Sequence, residues 1–174
     1  MSRTAYLYPG QNSQQVGMGA DIAAASPAAR ELFEQADAVL GWSVGDVCFN
    51  GPRETLDRTD VCQPAIFVTS AATRAAILER LGPDAPTPEM TAGLSLGEYT
   101  ALYAADAMDF EPALKLVALR GRLMQAAGTD RPGGMVSIIG LDEEKVRDLC
   151  EQSADGQVLV PANFNCPGQI VLSG

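Results

Sequence analysis

Short apolar runs alternate along the first 127 residues with longer stretches in which apolar residues recur every three or four positions. The runs at residues 5–8 and 89–93 end in Pro-Gly or glycine and predict two strands. The longer stretches predict helices at residues 18–25, 28–40, 44–49, 63–81, 97–105 and 111–127. Because strands that alternate with helices usually pair in parallel, this pattern predicts an α/β fold with a two-stranded parallel sheet.

The pattern changes after residue 127. Residues 128–134 contain three glycines and a proline and predict a flexible hinge. A strand, a helix and two strands follow, at residues 135–140, 142–152, 158–163 and 169–172. This order opens a ferredoxin-like unit but lacks its second helix and last strand. We therefore predict two domains, residues 1–127 as the first part of a large α/β subdomain and residues 128–174 as a truncated ferredoxin-like subdomain.

Local residue choices refine two of these helices. Ser26 followed by Pro27 is typical of a helix start, with the serine as N-cap and the proline at the first helical position. The longest predicted helix is expected to turn its apolar positions, including Ile66 and Ile77, toward the core. The Pro-rich residues 82–88 cannot continue that helix and predict a crossover loop into the second strand.

Composition argues against several classes of function. The 174 residues contain no uninterrupted apolar run long enough to cross a bilayer and begin without the apolar centre of a signal peptide, so we expect a cytoplasmic protein. The net charge of −10 argues against nucleic acid or a membrane as partner. The four cysteines are widely spaced, without a C-x-x-C pair, so no metal site or disulfide framework is expected.

The second predicted strand and the helix after it are joined by Gly93-Leu-Ser-Leu-Gly97. In this context the G-x-S-x-G pattern is typical of a nucleophile elbow, a tight turn that holds a serine in strained backbone geometry above a sheet. The alternative is an ordinary strand-to-helix turn, because the bare pattern also arises by chance. The flanking strand and helix favour Ser95 as a nucleophile.

Four further motifs accompany this turn, and they are Pro9-Gly-Gln-Asn-Ser-Gln14, Gln63-Pro-Ala65, Arg120-Gly-Arg-Leu-Met-Gln125 and Asn163-Phe-Asn-Cys-Pro-Gly-Gln-Ile-Val171. With the segment from Gly93 to Leu102, the chain resembles the malonyl-CoA:acyl carrier protein transacylases of fatty-acid synthesis over nearly its whole length. The resemblance implies an α/β-hydrolase-like parallel-sheet core, incomplete here, with the ferredoxin-like subdomain inserted in it. It also implies malonyl transfer from malonyl-CoA to the phosphopantetheine thiol of acyl carrier protein, without a cofactor of the enzyme's own.

The resemblance implies that Ser95 carries the malonyl group as an ester. The backbone N–H of Leu96 and the loop that contains Gln11 would form the oxyanion hole of the tetrahedral intermediates. A surface-loop glutamine is the ordinary alternative for Gln11. Two positions depart from the family pattern: Leu94 replaces a histidine before the nucleophile, and Asn12 replaces a glycine. We expect these changes to alter the surroundings of the serine and to shift the oxyanion loop slightly.

Three further residues are implied to bind substrate. Arg120 would hold the free carboxylate of the malonyl group, because a guanidinium can bind a carboxylate with two parallel hydrogen bonds. Gln63 and Asn163 would lie near the substrate cleft. The alternative for Arg120 is an ion pair on the helix surface, but the family motif implies that Arg120 binds the carboxylate and that Arg122 is the surface residue. The alternative for Gln63 and Asn163 is local hydrogen bonding.

The chain contains no histidine. A serine hydroxyl needs a neighbouring base, and histidine plays that part in most serine acyl-transfer sites. In the resembling family the histidine comes later in the chain, so we expect the N-terminal portion of an enzyme, inactive by itself. Two alternatives stay open. One is a non-catalytic module that binds coenzyme A or acyl thioesters, and the other is an α/β-hydrolase-type serine esterase, which explains the turn but not the other motifs.

Overall fold

The computed structural model describes residues 3–131 and 133–174 of the chain. The chain divides into two compact units, one up to Ala126 and one from Ala127 to Gly174. The first contains a two-stranded sheet and most of the helices, and the second contains a three-stranded sheet with one helix. Helices alternate with strands, and the sheet of the first unit is parallel, so the α/β class predicted from the sequence is confirmed. The sheet of the second unit is antiparallel.

Nearly all of the elements follow the predicted order. In the first unit they are β1 Ala5–Tyr8, α1 Ala20–Ala25, α2 Pro27–Leu40, α3 Val44–Asn50, α4 Arg53–Leu56, α5 Thr59–Leu81, a 3-10 turn Gly82–Asp84, β2 Met90–Gly93, α6 Gly97–Ala104 and α7 Phe110–Asp130, whose last turn enters the second unit. In the second unit they are β3 Met135–Ile139, α8 Glu143–Ser153, β4 Val160–Cys166 and β5 Gln169–Ser173. The larger differences from the predicted bounds concern α5, α7 and β4.

The sheet of the first unit consists of β1 and β2, paired in parallel as predicted. Ala5 lies opposite Met90, and Tyr8 lies opposite Gly93. Helix α6 packs against both strands. Leu7 is nonetheless 76% exposed and Met90 is 60% exposed, although parallel sheets are normally covered on both faces. The described residues therefore leave part of this sheet uncovered.

The core of the first unit lies along the first half of α5, where the side chains from Cys62 to Val68 are buried. Helix α2 packs against it through Ala29, Phe33 and Ala36. Small side chains on both helices allow this close packing. The expectation that Ile77 also faces the core is wrong, because α5 continues beyond the neighbours that bury its first half and leaves Ile77 exposed.

Helix α5 and the turn after it, residues Thr59–Asp84, are long and apolar enough to cross a membrane, and no other helix among the described residues is. More than half of the apolar window is buried inside the protein. A core helix has this pattern, because its apolar residues are covered by neighbouring helices rather than by lipid. We therefore interpret α5 as the central helix of the first unit.

The ends of two helices differ from the prediction, and the start of a third agrees with it. Helix α5 begins at Thr59, so Gln63 and Pro64 lie in its second turn rather than at its start. Helix α7 runs to Asp130, so the first part of the predicted hinge is helical; Pro132 lies outside the described residues. Ser26 caps α2 as predicted, and its side-chain oxygen accepts the N–H of Ala29 at 3.1 Å.

The second unit is a three-stranded antiparallel sheet. Strand β5 lies between β3 and β4 and runs antiparallel to both. Helix α8 buries Val146 and Cys150 in a small core with Ile170 and Leu172 of β5. Strand β4 extends to Cys166, so Asn163 lies in the middle of a strand rather than at its end.

Gly97 is required by the contact between α6 and the end of β1. A Cβ atom at this position would overlap the carbonyl oxygen of Tyr8 and lie 2.9 Å from that of Pro9. Both obstacles are backbone atoms, so no side chain can turn away to make room. The first residue of α6 must therefore be glycine.

We expect Gly97→Ala to destabilise the first unit by about 1–3 kcal/mol or more, because the added methyl group forces the sheet and the helix apart. Urea-induced unfolding followed by circular dichroism measures this. Gly128→Ala is the matched control: Gly128 lies in α7 with open space around its Cα, and alanine there should be neutral or stabilising by about 1 kcal/mol. Equal stability of the two variants would contradict the packing argument.

Candidate active site

The turn between β2 and α6 has the geometry predicted for the G-x-S-x-G segment. Ser95 has a φ of +54°, in the left-handed region that side chains other than glycine rarely adopt. The N–H of Gly97 closes the turn by donating to the carbonyl oxygen of Leu94 at 2.9 Å. A residue held in this region stores backbone strain, which is common where a side chain must be presented for function.

Glycines surround the serine because backbone segments pass very close to it. A Cβ at Gly93 would overlap the carbonyl group of Gly97. A Cβ at Gly10, just after β1, would lie 2.8 Å from the carbonyl oxygen of Leu94. The end of β1 is thus pressed against the turn, and this contact brings the loop that contains Gln11 close to Ser95.

Arg120 of α7 reaches the serine. Its Nη2 donates a hydrogen bond to Ser95 Oγ at 2.7 Å. Its guanidinium carbon lies 5.9 Å from the ring centroid of Tyr99 on α6, within the range of a cation–π interaction. Ser95 itself is exposed, so the hydroxyl remains accessible beside the guanidinium. A cation at this distance favours negative charge that develops on Oγ.

A chain of hydrogen bonds continues from Arg120 into the interior. Its Nη1 donates to Gln63 Oε1 at 2.6 Å. Gln63 Nε2 donates to Gln11 Oε1 at 3.2 Å and contacts Met124 Sδ at 3.2 Å. Gln11 Nε2 donates to Thr59 Oγ1 at 3.2 Å. The structure therefore brings together Ser95, Arg120, Gln63 and Gln11, which lie far apart in the sequence.

The positive charge of Arg120 has no ionic partner among the described residues, since none of their ion pairs includes it. The ion-pair alternative raised by the sequence is therefore not realised in this part of the chain. Arg122 is exposed two positions further along α7. A half-buried arginine without a carboxylate partner is suited to an anionic ligand.

The predicted oxyanion groups are the backbone N–H of Leu96, which follows the serine in the chain, and the loop that contains Gln11. The side chain of Leu96 is fully buried, and for its backbone N–H no acceptor is found within the described ranges. Gln11 is half-buried on the loop after β1. Asn12 has a φ of +79°, a conformation that asparagine tolerates better than most residues, which explains why glycine can be replaced here.

Two other predictions concern Asn163, in the second unit, and Leu94, directly before the serine. Asn163 is exposed on β4 in the second unit, and its substrate contact remains a prediction. Leu94 is exposed beside the serine rather than packed beneath it. Within residues 3–131 and 133–174, no three His, Cys, Asp or Glu side chains are grouped closely enough to hold a metal ion.

Sequence reasoning missed Thr59 and the support that α7 gives to it. The backbone N–H of Thr59 donates to Gln125 Oε1 at 3.0 Å, and a Cβ at Gly121 would lie 2.9 Å from the Thr59 carbonyl oxygen. The signal was present in the motif that begins at Arg120, because positions 120 and 124 share one helix face and 121 and 125 share the next. Only the fold shows what those faces contact.

The fold and the site together define an α/β protein with a strained strand–serine–helix turn and an arginine at the hydroxyl. A family model described as acyl transferase domain matches residues 5–174, and the chain belongs to this family. The chain is 44% identical over its full length to the malonyl CoA-acyl carrier protein transacylase of Escherichia coli strain K12 and 42% identical to that of Bacillus subtilis strain 168. It spans 55% and 54% of these relatives, about half of their length.

Solved structures agree with the relatives. The malonyl CoA-acyl carrier protein transacylase of Coxiella burnetii matches with a TM-score of 0.88 and 42% identity, over 99% of this chain and 54% of that one. One chain in the structure of a type II polyketide synthase acyl-carrier protein in complex with its malonyl-transacylase matches with a TM-score of 0.86 and 42% identity, over 99% of this chain and 55% of that one.

Replacing Ser95 tests the backbone strain directly. We expect Ser95→Gly to be more stable than Ser95→Ala by roughly 1 kcal/mol, because only glycine adopts the positive φ without penalty. Both variants lose the hydrogen bond from Arg120, so their difference reports the strain, reduced by the larger conformational entropy of glycine in the unfolded chain. Urea-induced unfolding measures it, and a Ser95→Gly variant less stable than Ser95→Ala would contradict a strained turn.

Proposed function

We propose that the protein containing this chain transfers a malonyl group from malonyl-CoA to the phosphopantetheine thiol of acyl carrier protein through an ester on Ser95. The observation that carries this proposal is the guanidinium of Arg120, which lies 2.7 Å from Ser95 Oγ and has no carboxylate partner among the described residues. A fixed positive charge beside the serine supports the binding of an acyl group that ends in a free carboxylate. The family and the names of the relatives support the same reaction.

The first half of the reaction forms the ester. Ser95 Oγ attacks the thioester carbonyl carbon while its proton passes to a base, and the carbonyl oxygen becomes an oxyanion. In this proposal the backbone N–H of Leu96, at the start of α6, donates to that oxyanion together with the loop of Gln11. When the intermediate collapses, the C–S bond breaks and coenzyme A leaves as a thiol after taking up the proton.

The second half transfers the acyl group. The thiol of the carrier's phosphopantetheine attacks the ester carbonyl carbon, passes through a second oxyanion at the same donors and displaces Ser95 Oγ, which regains its proton. The protein needs no cofactor of its own for either half, because both steps exchange one acyl bond for another. We propose a cytoplasmic protein whose partners are malonyl-CoA and an acyl carrier protein, with no nucleic acid or membrane partner.

The base must come from outside this chain, because the 174 residues include no histidine. We propose that a histidine in the part of the protein that corresponds to the remaining length of the relatives plays this role. The same part would complete the uncovered parallel sheet as an α/β-hydrolase-like core. Residues 1–127 would then be the first part of a large subdomain, and residues 128–174 the first part of a ferredoxin-like subdomain, which the strand order β3-β5-β4 supports.

Arg120 would select the acyl group. A malonyl carboxylate can accept two hydrogen bonds from a guanidinium, whereas an acetyl group offers no charge in return. Asn163 is proposed as a substrate contact on the resemblance alone.

A second candidate function is a non-catalytic module that binds acyl thioesters. It is favoured only by the lack of histidine in the 174 residues.

Mass spectrometry of intact protein tests the proposed ester. Incubated with malonyl-CoA, the complete gene product should gain one malonyl group on Ser95 within seconds, and Ser95→Ala should gain none. The isolated 174-residue chain should form the adduct at a negligible rate because it lacks the base. A complete gene product that binds malonyl-CoA but never forms the ester would favour the binding module instead.

Arg120→Ala tests the selectivity. In the complete gene product we expect kcat/KM for malonyl-CoA to fall by roughly 100-fold or more, and kcat/KM for acetyl-CoA to fall much less, because only malonyl loses a charge-assisted pair. Arg122→Ala is the matched control on the same helix and should change neither value appreciably. Equal losses for the two acyl groups would remove Arg120 from the carboxylate-binding role.

A further inference from the structure

We infer that Gln63 is a positioning residue that orients Arg120 on one side and Gln11 on the other, rather than a group that touches substrate. The roles of Arg120 and Gln11 in this statement rest on the proposed function. The hydrogen bonds that define the role of Gln63 do not. Its side chain is fully buried, and both ends of its carboxamide are engaged within the protein.

The direction of every hydrogen bond in the network follows from Arg120. A guanidinium can only donate, so the atom of Gln63 that faces it must be the amide oxygen. The amide nitrogen must then face Gln11, and Gln11 must accept with its own oxygen. The nitrogen of Gln11 is left to donate to Thr59 Oγ1, where the structure places it. The oxygen and nitrogen of a carboxamide are similar in shape, and these hydrogen bonds determine which is which in both Gln63 and Gln11.

Burial makes this orientation costly to reverse. If the carboxamide of Gln63 flipped, two donors would face each other at Arg120 and two acceptors would face each other at Gln11. No water from outside can readily compensate, because the side chain has no exposed surface. The network therefore behaves as a unit, and a change in one member is expected to disturb the others.

One consequence concerns how Arg120 meets an anionic acyl group. Nη1 is held by Gln63, whereas Nη2 points to Ser95. A carboxylate that takes the hydrogen bonds of Nη2 would replace the serine hydroxyl as acceptor without dislodging the other edge of the guanidinium. Gln63 thus keeps the cation in place while the nucleophile is released for attack.

The two helices that carry the network are held together independently. The short distance between Gly121 and Thr59 and the hydrogen bond from Thr59 N–H to Gln125 fix α7 against the start of α5. Arg120 and Gln63 are therefore presented by rigid elements, which is what a positioning role requires. Substitutions at Gln63 can consequently be read as changes in orientation.

NMR spectroscopy of the complete gene product, labelled with 15N in arginine and glutamine side chains, tests the inference without any activity. In the parent protein, restricted rotation should give resolved Arg120 Nη signals. Gln63→Met, which keeps a similar length but replaces the carboxamide by a thioether that is at most a weak acceptor, should merge them. Gln63→Glu should leave them resolved, because the carboxylate still accepts from Nη1, but should shift the Gln11 amide signals, because its donor is lost.

Gln35→Met is the matched control, since the side chain of Gln35 on α2 is exposed and donates to Glu31 Oε1 at 3.2 Å, outside the network. It should change neither set of signals. The inference is overturned if Gln63→Met leaves the Arg120 signals resolved, or if Gln35→Met merges them equally. A Gln63→Met variant that does not fold leaves the Gln63→Glu result to decide, because unchanged Gln11 signals there would also overturn it.

Kinetics separate this inference from the proposed function. With malonyl-CoA we expect Gln63→Met to lower kcat/KM by roughly 10- to 100-fold, as expected for a misplaced binding group, with a smaller loss for acetyl-CoA. If the parent transfers no malonyl group, the proposed function is wrong, and the NMR result still decides the role of Gln63. If the parent does transfer malonyl, and Gln63→Met lowers kcat/KM equally for malonyl-CoA and acetyl-CoA, then Gln63 does not support the selectivity that Arg120 provides.

Discussion

The close backbone contact between the end of β1 and the turn after β2 is the constraint on which the site depends. Gly10, Gly93 and Gly97 leave no room for a side chain there. The end of β1, the end of β2 and the start of α6 touch through backbone atoms, and Ser95 has a positive φ in the turn between the last two. The same contact brings the Gln11 loop close to the turn that contains the serine.

The charge of the site contrasts with the charge of the whole chain. The chain carries a net charge of −10, yet Arg120 has no carboxylate partner in the described ranges. Its donors are used instead by neutral groups, the hydroxyl of Ser95 and the amide of Gln63. Neutral acceptors orient a guanidinium without cancelling its charge, which leaves the cation available to an anionic ligand.

The family motifs acquire separate physical reasons once the helices are placed. In the segment Arg120-Gly-Arg-Leu-Met-Gln125, Arg120 reaches the serine, Gly121 permits close approach to α5, and Gln125 bonds the first residue of that helix. Two residues of the motif therefore form the contact between α7 and α5, and a third, Arg120, reaches the serine. In the same way, Gln63 is interior to α5 rather than at its start, because it must face α7 and the Gln11 loop together.

The amino-acid sequence by itself determined the order of the elements, the parallel pairing of β1 and β2, the strand–turn–helix context of Ser95 and the family. These follow from local periodicity, from glycine and proline positions and from motifs, all of which act over short stretches. Tertiary structure decided the exposure of Ile77, the extension of α7 into the predicted hinge and the network that joins Gln11, Thr59, Gln63 and Arg120. Those features depend on which distant surfaces meet, and periodicity along one segment carries no information about the segment that packs against it.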